Sequence, residues 1–334
     1  MSIALTSELE STSKKVNSII NEIIVDGCEP KSLYEASKHL INAGGKRLRP
    51  FITLKSCEIV SGGEDSALPV AAAIELLHNF TLIHDDIMDE DTKRRGVPTT
   101  HIVWDTPLAI IAGDLLFAKV YESVIRRIDQ KIVSPSKMIK ILDLLTEAAI
   151  TICEGQTWDM LYEKRDIISE NEYFTMINGK TAALLESSAK VGAIIGGGTN
   201  EMVGCLGRFG KYCGLAFQLV DDILGLTSDE ETLGKPIGSD IREGKRTLII
   251  VHFLNHAQNE EKAEVLSVLG DKTASWSRIS KAIRLIDSRN SIEYTKDYAK
   301  KLIDEAKNQL KIFSSSYPKQ LLLDLSDYII SRTY

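Results

Sequence analysis

Cysteine is present without the pairing that would give it structural work. Cys28, Cys57, Cys153, Cys205 and Cys213 are scattered, odd in number and lack a Cys-x-x-Cys pair. That argues against a closed disulfide frame and a thiolate zinc site, and fits reduced, mostly buried thiols. Proline is scarce, at 8 in 334 residues, glycine stands at 22 and aromatics at 6%. A chain so poor in turn and strand formers favours helix. Excess positive charge is also missing. At a net −7, a general nucleic-acid surface is excluded, and any anionic ligand needs a local basic cluster. The N-terminus has no basic start followed by an apolar core, so no signal peptide is expected. The longest apolar run is broken by Glu75, His78 and Asn79, and no segment is expected to span a membrane. These absences point to a soluble, cytoplasmic protein.

What is present is helical periodicity along almost the whole chain. Helices are expected over Ser32–Asn42, Leu68–Asp91, Leu108–Ile128, Ser136–Tyr162, Glu170–Ile195, Met202–Leu226 and Arg246–Asn255, then from Trp276 onward in two or three pieces. "NAGGKRLRP" and "IIGGGTN" read as breaks, and "TLGKPIGSDIREGKRT" as a polar loop with a short turn of helix. With no linker, strand run or low-complexity tract, one all-helical domain over residues 1–334 is the economical reading.

Two sites on this helical background are chemically odd. In "HDDIMDEDTKRRG", Asp85, Asp86, Asp89, Glu90 and Asp91 crowd the end of an apolar helix, and three cations follow. Residues four apart on a helix are offset by about 40° and roughly 6 Å, so Asp85 and Asp89 share a face. Their mutual repulsion and the negative helix end call for a compensating cation. Oxygen donors alone suit Mg²⁺, which completes its shell with water and phosphate. Asp221 and Asp222 repeat the arrangement after "GLAFQLV". Glu90 and Asp91 read as a solvated helix end.

Basic residues come in small packets at the predicted breaks: Lys46, Arg47 and Arg49; Arg94 and Arg95; Lys180 with Thr181; Lys235; Lys245. Arginine grips phosphate through a planar fork and lysine as a point charge. No packet forms GxxxxGK[ST], so a Walker-type nucleotide site is not supported.

In order and spacing, "GGKRLRP", "HDDIMDEDTKRRG", "NGKTA" and "FQLVDDILG…GKP…DIREGKRT" resemble the trans-isoprenyl diphosphate synthases, from about Ile41 to Thr247. The resemblance implies an all-α bundle around a deep central cavity, usually a homodimer, that condenses isopentenyl diphosphate with dimethylallyl, geranyl or farnesyl diphosphate. It implies that Asp85 and Asp89, with Asp86 in support, bind two Mg²⁺ ions, and that Asp221, beside Asp222, binds a third. Arg94, Lys180, Lys235 and Lys245 would hold the allylic diphosphate. Lys46, Arg49, His78 and Arg95 would hold isopentenyl diphosphate. Periodicity alone makes His78 a core histidine, and the resemblance reverses that reading. Lys180, Thr181 and Gln218 would be the catalytic set, with Thr181 and Gln218 pointing oxygen dipoles at the allylic cation, and the departed diphosphate would take the final proton. The second motif departs from the pattern, with Gly225 at its last acidic position. Asp105 stands where many relatives have a small residue and is given no role.

The resemblance also makes the residues before the first motif the floor of the tail cavity. Phe80 and Thr81 lie about 6–8 Å before Asp85 along the helix. One bulky ring followed by a small residue is similar to the archaeal-type geranylgeranyl synthases, which makes geranylgeranyl diphosphate the expected main product. A farnesyl or longer-chain synthase is the alternative. A class I terpene cyclase shares the fold and DDxxD but does not need the "GGKRLRP" site. An HD-type phosphohydrolase, suggested by His78 and His84-Asp85, leaves Asp89 and the Asp221-Asp222 pair unexplained. A non-catalytic partner subunit is opposed by the intact acidic motifs.

Overall fold

A computed structural model describes residues 2–61, 63–129, 131, 133–227 and 238–332. Among these the chain is almost wholly helical, as expected, and divides into two compact units. One comprises residues 1–149, 184–210 and 309–325; the other comprises 150–183, 211–308 and 326–334.

In the first unit, α1 (Ile3–Ile23) opens on Ser2, whose hydroxyl accepts from the Leu5 N–H. This cap satisfies one of the orphan donors at the helix start. Leu5, Leu9, Thr12, Val16, Ile20 and Ile23 form its buried stripe, at three- and four-residue spacing. After α2 (Lys31–Asn42) and α3 (Leu48–Ser61) comes α4 (Leu68–Met88), which starts with Pro69 in its first turn, where a missing N–H costs nothing. Every residue from Val70 to Leu77 is buried. A helix apolar all round belongs inside a protein, and α4 packs against α1, α3 and most extensively α6 (Thr106–Arg127). Each fully buried Leu, Ile or Val contributes roughly 1.5–3 kcal/mol.

This helix corrects one expectation. The span Asp65–Met88 is long and apolar enough to cross a membrane by length and composition, the one such helix among the described residues. With 61% of its most apolar window buried within the protein, it behaves as a core helix. Two further differences concern α1 and α3, neither of which was anticipated. Ser, Thr and Lys dilute the pattern of α1, and α3 begins inside the basic break.

The second unit contains the end of α7 (Pro135–Tyr162), α8 (Glu170–Ile177) and the last part of α10 (Asn200–Thr227). Ser169 and Glu172 form a reciprocal capping box at the start of α8. The expected Glu170–Ile195 helix is interrupted: residues Asn178–Ala182 form a π-turn before α9 (Ala183–Ile195). The cause is a backbone crossing. A Cβ on Gly155 would lie 2.2 Å from the Lys180 nitrogen, and one on Gly179 would lie 2.8 Å from the Gly155 Cα, so two glycines let the α7 and π-turn backbones meet. Ile223, Leu226, Ile241, Ile249, Phe253, Ile279 and Ile286 form this unit's core cluster. Helices Ser239–Glu243, Trp276–Ser288, Ser291–Gln309 and Tyr317–Ser331 match the expected short turn and later pieces.

Candidate active site

The basic packet "GGKRLRP" folds around Arg47. Gly44, Gly45 and Arg47 all have positive φ, at 95°, 132° and 51°. The buried Arg47 guanidinium donates to the Ile41 carbonyl (2.7 Å), the Gly44 carbonyl (2.9 Å) and Glu75 (2.9 Å). A Cβ on Gly45 would lie 3.0 Å from Arg47 Nη1 and 3.1 Å from Arg95 Cζ. Gly45 thus provides the room for two guanidiniums. Arg95 sits with Gly96 in the two-residue turn of a short hairpin that pairs Arg94 with Val97. Both turn residues have positive φ, the type I′ geometry that disfavours an arginine. Its side chain is anchored on the carbonyls of Leu40 (2.7 Å) and Gly44.

His78 joins this corner through Arg49 Nη1, which donates to its Nε2 at 3.1 Å. Guanidinium can only donate, so that nitrogen accepts and the ring is neutral. Burial first, then the charges of Arg49, Arg95, Arg94 and Arg47, hold the His78 pKa well below its usual range. Of the four residues expected to bind isopentenyl diphosphate, the structure brings Arg49, His78 and Arg95 together. Lys46 is exposed on the loop beside them.

At the C-terminal end of α4, Asp86 is 1% exposed and bonded to Arg94 Nε. Arg94 Nη2 also lies 3.6 Å from Asp85 and 3.4 Å from Asp91. Burial leads in raising the Asp86 pKa to about 6, with the Asp85 and Asp91 charges adding to it and Arg94 opposing. Asp86 Oδ2 is buried without a hydrogen-bond partner. Asp89 caps the helix, its N–H donating to the Asp85 carbonyl at 2.8 Å. The resemblance implies Mg²⁺ here, and the donor set fits it: an all-oxygen cluster, one buried carboxylate oxygen unsatisfied, and a guanidinium already drawn in as counter-charge. Among the described residues no group of three or more His, Cys, Asp or Glu side chains could hold a metal ion by itself.

Upstream on α4, the Phe80 ring packs against His84 (4.7 Å between centroids) and Phe117 (5.1 Å), and Phe117 against Tyr121 (5.3 Å). Thr81 turns its hydroxyl back to the His78 carbonyl at 2.7 Å. Gly113 is dictated by His84, whose Nε2 would be 2.4 Å from a Cβ there.

In the second unit, the π-turn carries Lys180 and Thr181. Lys180 Nζ donates to Asp159 (2.5 Å), and Thr181 Oγ1 to Gln218 Oε1 (2.7 Å). π-turns recur at functional sites. Asp221 is paired with Arg332 at 3.2 Å, and that guanidinium also lies over the Phe217 ring at 4.6 Å. Asp222 is 5% exposed, and both its oxygens accept from protein donors, Tyr173 Oη at 2.5 Å and Gln218 Nε2 at 2.8 Å. Burial and the neighbouring Asp240 raise its pKa to about 7. Lys245 pairs with Glu243 at 2.9 Å. Lys235 lies outside the described residues.

The missing acid of the second motif has a spatial counterpart. A Cβ on Gly225 would lie 2.4 Å from Asp240 Oδ2, so the Asp240 carboxylate fills the space where a side chain at 225 would begin. Asp240, Asp159, Tyr173 and Phe117 were not anticipated as site neighbours. Each is a single polar or aromatic residue, and the partner described above lies at least 15 residues away in sequence. The adjacent "DDILG" gap was the one available signal for Asp240.

The profile of the polyprenyl synthetase family matches residues 30–286. A geranylgeranyl diphosphate synthase of Methanosarcina mazei is 40% identical over 334 residues, all of both chains. A short chain isoprenyl diphosphate synthase of Methanocaldococcus jannaschii is 46% identical over 90% of each chain. Among solved structures, the geranylgeranyl pyrophosphate synthetase of Pyrococcus horikoshii superposes with a TM-score of 0.92, at 42% identity over 98% of each chain. The chain belongs to the polyprenyl synthetase family.

Proposed function

We propose that the protein is a prenyltransferase that condenses isopentenyl diphosphate with dimethylallyl, geranyl and farnesyl diphosphates, with geranylgeranyl diphosphate as its main product. The observation that carries this reading is end-to-end likeness to geranylgeranyl synthases, in a chain whose acidic and basic motifs stand in the family's order. Asp85, Asp86, Asp89 and Asp221 would hold two to three Mg²⁺ ions, which neutralise the diphosphate and make it a leaving group.

The chain's own residues account for the rest. Arg49, His78 and Arg95, with Lys46 at the rim, form an electropositive corner for isopentenyl diphosphate. The neutral imidazole adds a hydrogen bond without adding charge. Arg94, Lys180, Lys235 and Lys245 would hold the allylic diphosphate. Its C–O bond breaks with the electron pair leaving on the diphosphate, and Thr181 and Gln218 turn oxygen dipoles toward the allylic cation. The isopentenyl double bond attacks, and the departed diphosphate takes the proton. Phe80, backed by Phe117, stops the growing tail.

The same proposal takes the chain as one domain, since each compact unit is built from three separated stretches. It takes the active species as a cytoplasmic homodimer. Exposed Ile102, Val103, Ile110 and Ile111 on α5 (Thr100–Val103) and α6 support an apolar contact between copies.

The test is a product assay. Purified protein, Mg²⁺ and labelled isopentenyl diphosphate are incubated with each allylic primer, and dephosphorylated products are sized by chromatography. The reading expects a dominant C20 alcohol that EDTA abolishes. Farnesyl or longer products would reject the floor assignment. Allylic turnover without isopentenyl addition would favour a cyclase or hydrolase.

A further inference from the structure

We propose that Tyr173 is a positioning residue for the condensation: through Asp222 it fixes the orientation of Gln218 and hence of the Thr181 hydroxyl. The inference rests on the prenyltransferase reading above. Four side chains of one unit form a hydrogen-bonded row. Tyr173 Oη donates to Asp222 Oδ2 at 2.5 Å, and Gln218 Nε2 to Asp222 Oδ1 at 2.8 Å. Thr181 Oγ1 donates to Gln218 Oε1 at 2.7 Å. Tyr173 is wholly buried, and Asp222 and Thr181 are 5% and 7% exposed, so water does not compete freely for these bonds.

Every proton in the row points toward Asp222, and the reason is chemical. In its ionised form Asp222 only accepts. The Gln218 amide must therefore turn its NH₂ to Asp222 and its carbonyl to Thr181. That carbonyl takes the Thr181 hydroxyl proton, and the remaining lone pairs of Oγ1 are left facing outward as acceptors. An acceptor-only oxygen stabilises a developing carbocation without trapping it, whereas a hydroxyl proton aimed the same way would oppose it. Removing the Tyr173 hydroxyl takes away one of the two donors holding Asp222. The carboxylate can then rotate, and the Gln218 amide with it.

The row gives Asp222 a different task from the metal ligation that the family resemblance implies. Both of its oxygens already serve protein donors. Its neighbour Asp221 is paired instead with Arg332, just past the end of the Tyr317–Ser331 helix. The Tyr173 hydroxyl bonds to Asp222 rather than to a diphosphate-holding cation, so its effect should fall on the cation step.

Tyr173→Phe deletes one hydroxyl and keeps the buried ring. With isopentenyl and farnesyl diphosphates, kcat should fall roughly ten- to hundredfold while both KM values stay within about threefold. By calorimetry with Mg²⁺ and inorganic diphosphate, an ammonium analogue of the allylic cation should lose a similar factor in affinity. Inorganic diphosphate with Mg²⁺ alone should bind as before. Combined with Thr181→Val, Tyr173→Phe should add little to the larger single loss, because both act on one row. If Tyr173→Phe does not fold, Gln218→Leu, at a half-buried position, carries the same kinetic expectation. Unchanged kcat in a folded variant, additive losses, or an equal loss of diphosphate affinity would overturn the proposal. An inactive wild-type protein would instead overturn the prenyltransferase reading beneath it.

Discussion

The two acidic motifs share an Asp-Asp dipeptide after an apolar helix, yet the structure uses them differently. In each pair the first aspartate is half-buried and the second is buried. At the first motif the buried residue, Asp86, is matched to the charged guanidinium of Arg94. At the second motif the buried residue, Asp222, is matched to the neutral donors of Tyr173 and Gln218. Those donors have no reason to leave when substrate arrives. One motif is balanced by a charged partner, while the other is built partly into a hydrogen-bonded row of neutral donors. Identical letters therefore predict identical chemistry only for the first residue of each pair.

The largest expected effect comes from removing the charge that motif one offers to ligand. Asp85→Asn and Asp89→Asn should each lower kcat about a thousandfold, measured by isopentenyl incorporation with the fold checked by circular dichroism. A tenfold loss or less would show that the first motif does not carry the diphosphate. Next is a change of product rather than rate. Phe80→Ala should shift the main product from C20 to longer chains, read by chromatography of the released alcohols. Phe117→Ala should add to that shift, because its ring stands directly behind Phe80. An unchanged distribution from folded protein would remove both residues from the floor.

Motif two is sharpened by its glycine. Gly225→Ala pushes a methyl into the Asp240 carboxylate and should destabilise the protein by about 1–3 kcal/mol, measured by chemical denaturation. A neutral result would mean that Asp240 yields without cost. The smallest effect is a pH dependence. The Asp222 pKa is about 7 in the folded protein and roughly 3.9 in an unfolded chain. An acid raised on folding contributes stability below the unfolded value and loses it as pH rises through the folded one. Wild-type stability relative to Asp222→Asn should therefore fall between about pH 4 and pH 7 and level off above, followed by thermal melts without metal. A flat difference would contradict the burial of that charge.

Much of this was legible in the sequence, for identifiable reasons. Helix α4 announces itself through an unbroken apolar run, and both acidic clusters stand out because like charge at helical spacing needs a compensating partner. The role of individual residues within a packet was not legible. Arg47 and Arg49 are two positions apart, but one is buried on Glu75 and the other reaches His78. Arg47 is left-handed at the end of the loop, whereas Arg49 already lies on α3. Tyr173 and Asp159 read as ordinary helix positions, because their partners lie 49 and 21 residues away. The gap at Gly225 was visible as a missing carboxylate, whereas its filling by Asp240 depends on a turn whose geometry the letters do not carry.

The contrast between the motifs is tested most directly by calorimetric titration of inorganic diphosphate with Mg²⁺ into Asp221→Asn and Asp222→Asn in parallel. The account predicts that Asp221→Asn loses about tenfold or more in Mg²⁺-dependent affinity, while Asp222→Asn stays within about threefold of wild type and fails only in turnover. Equal losses, or a larger loss at Asp222, would contradict it and return both residues to the metal.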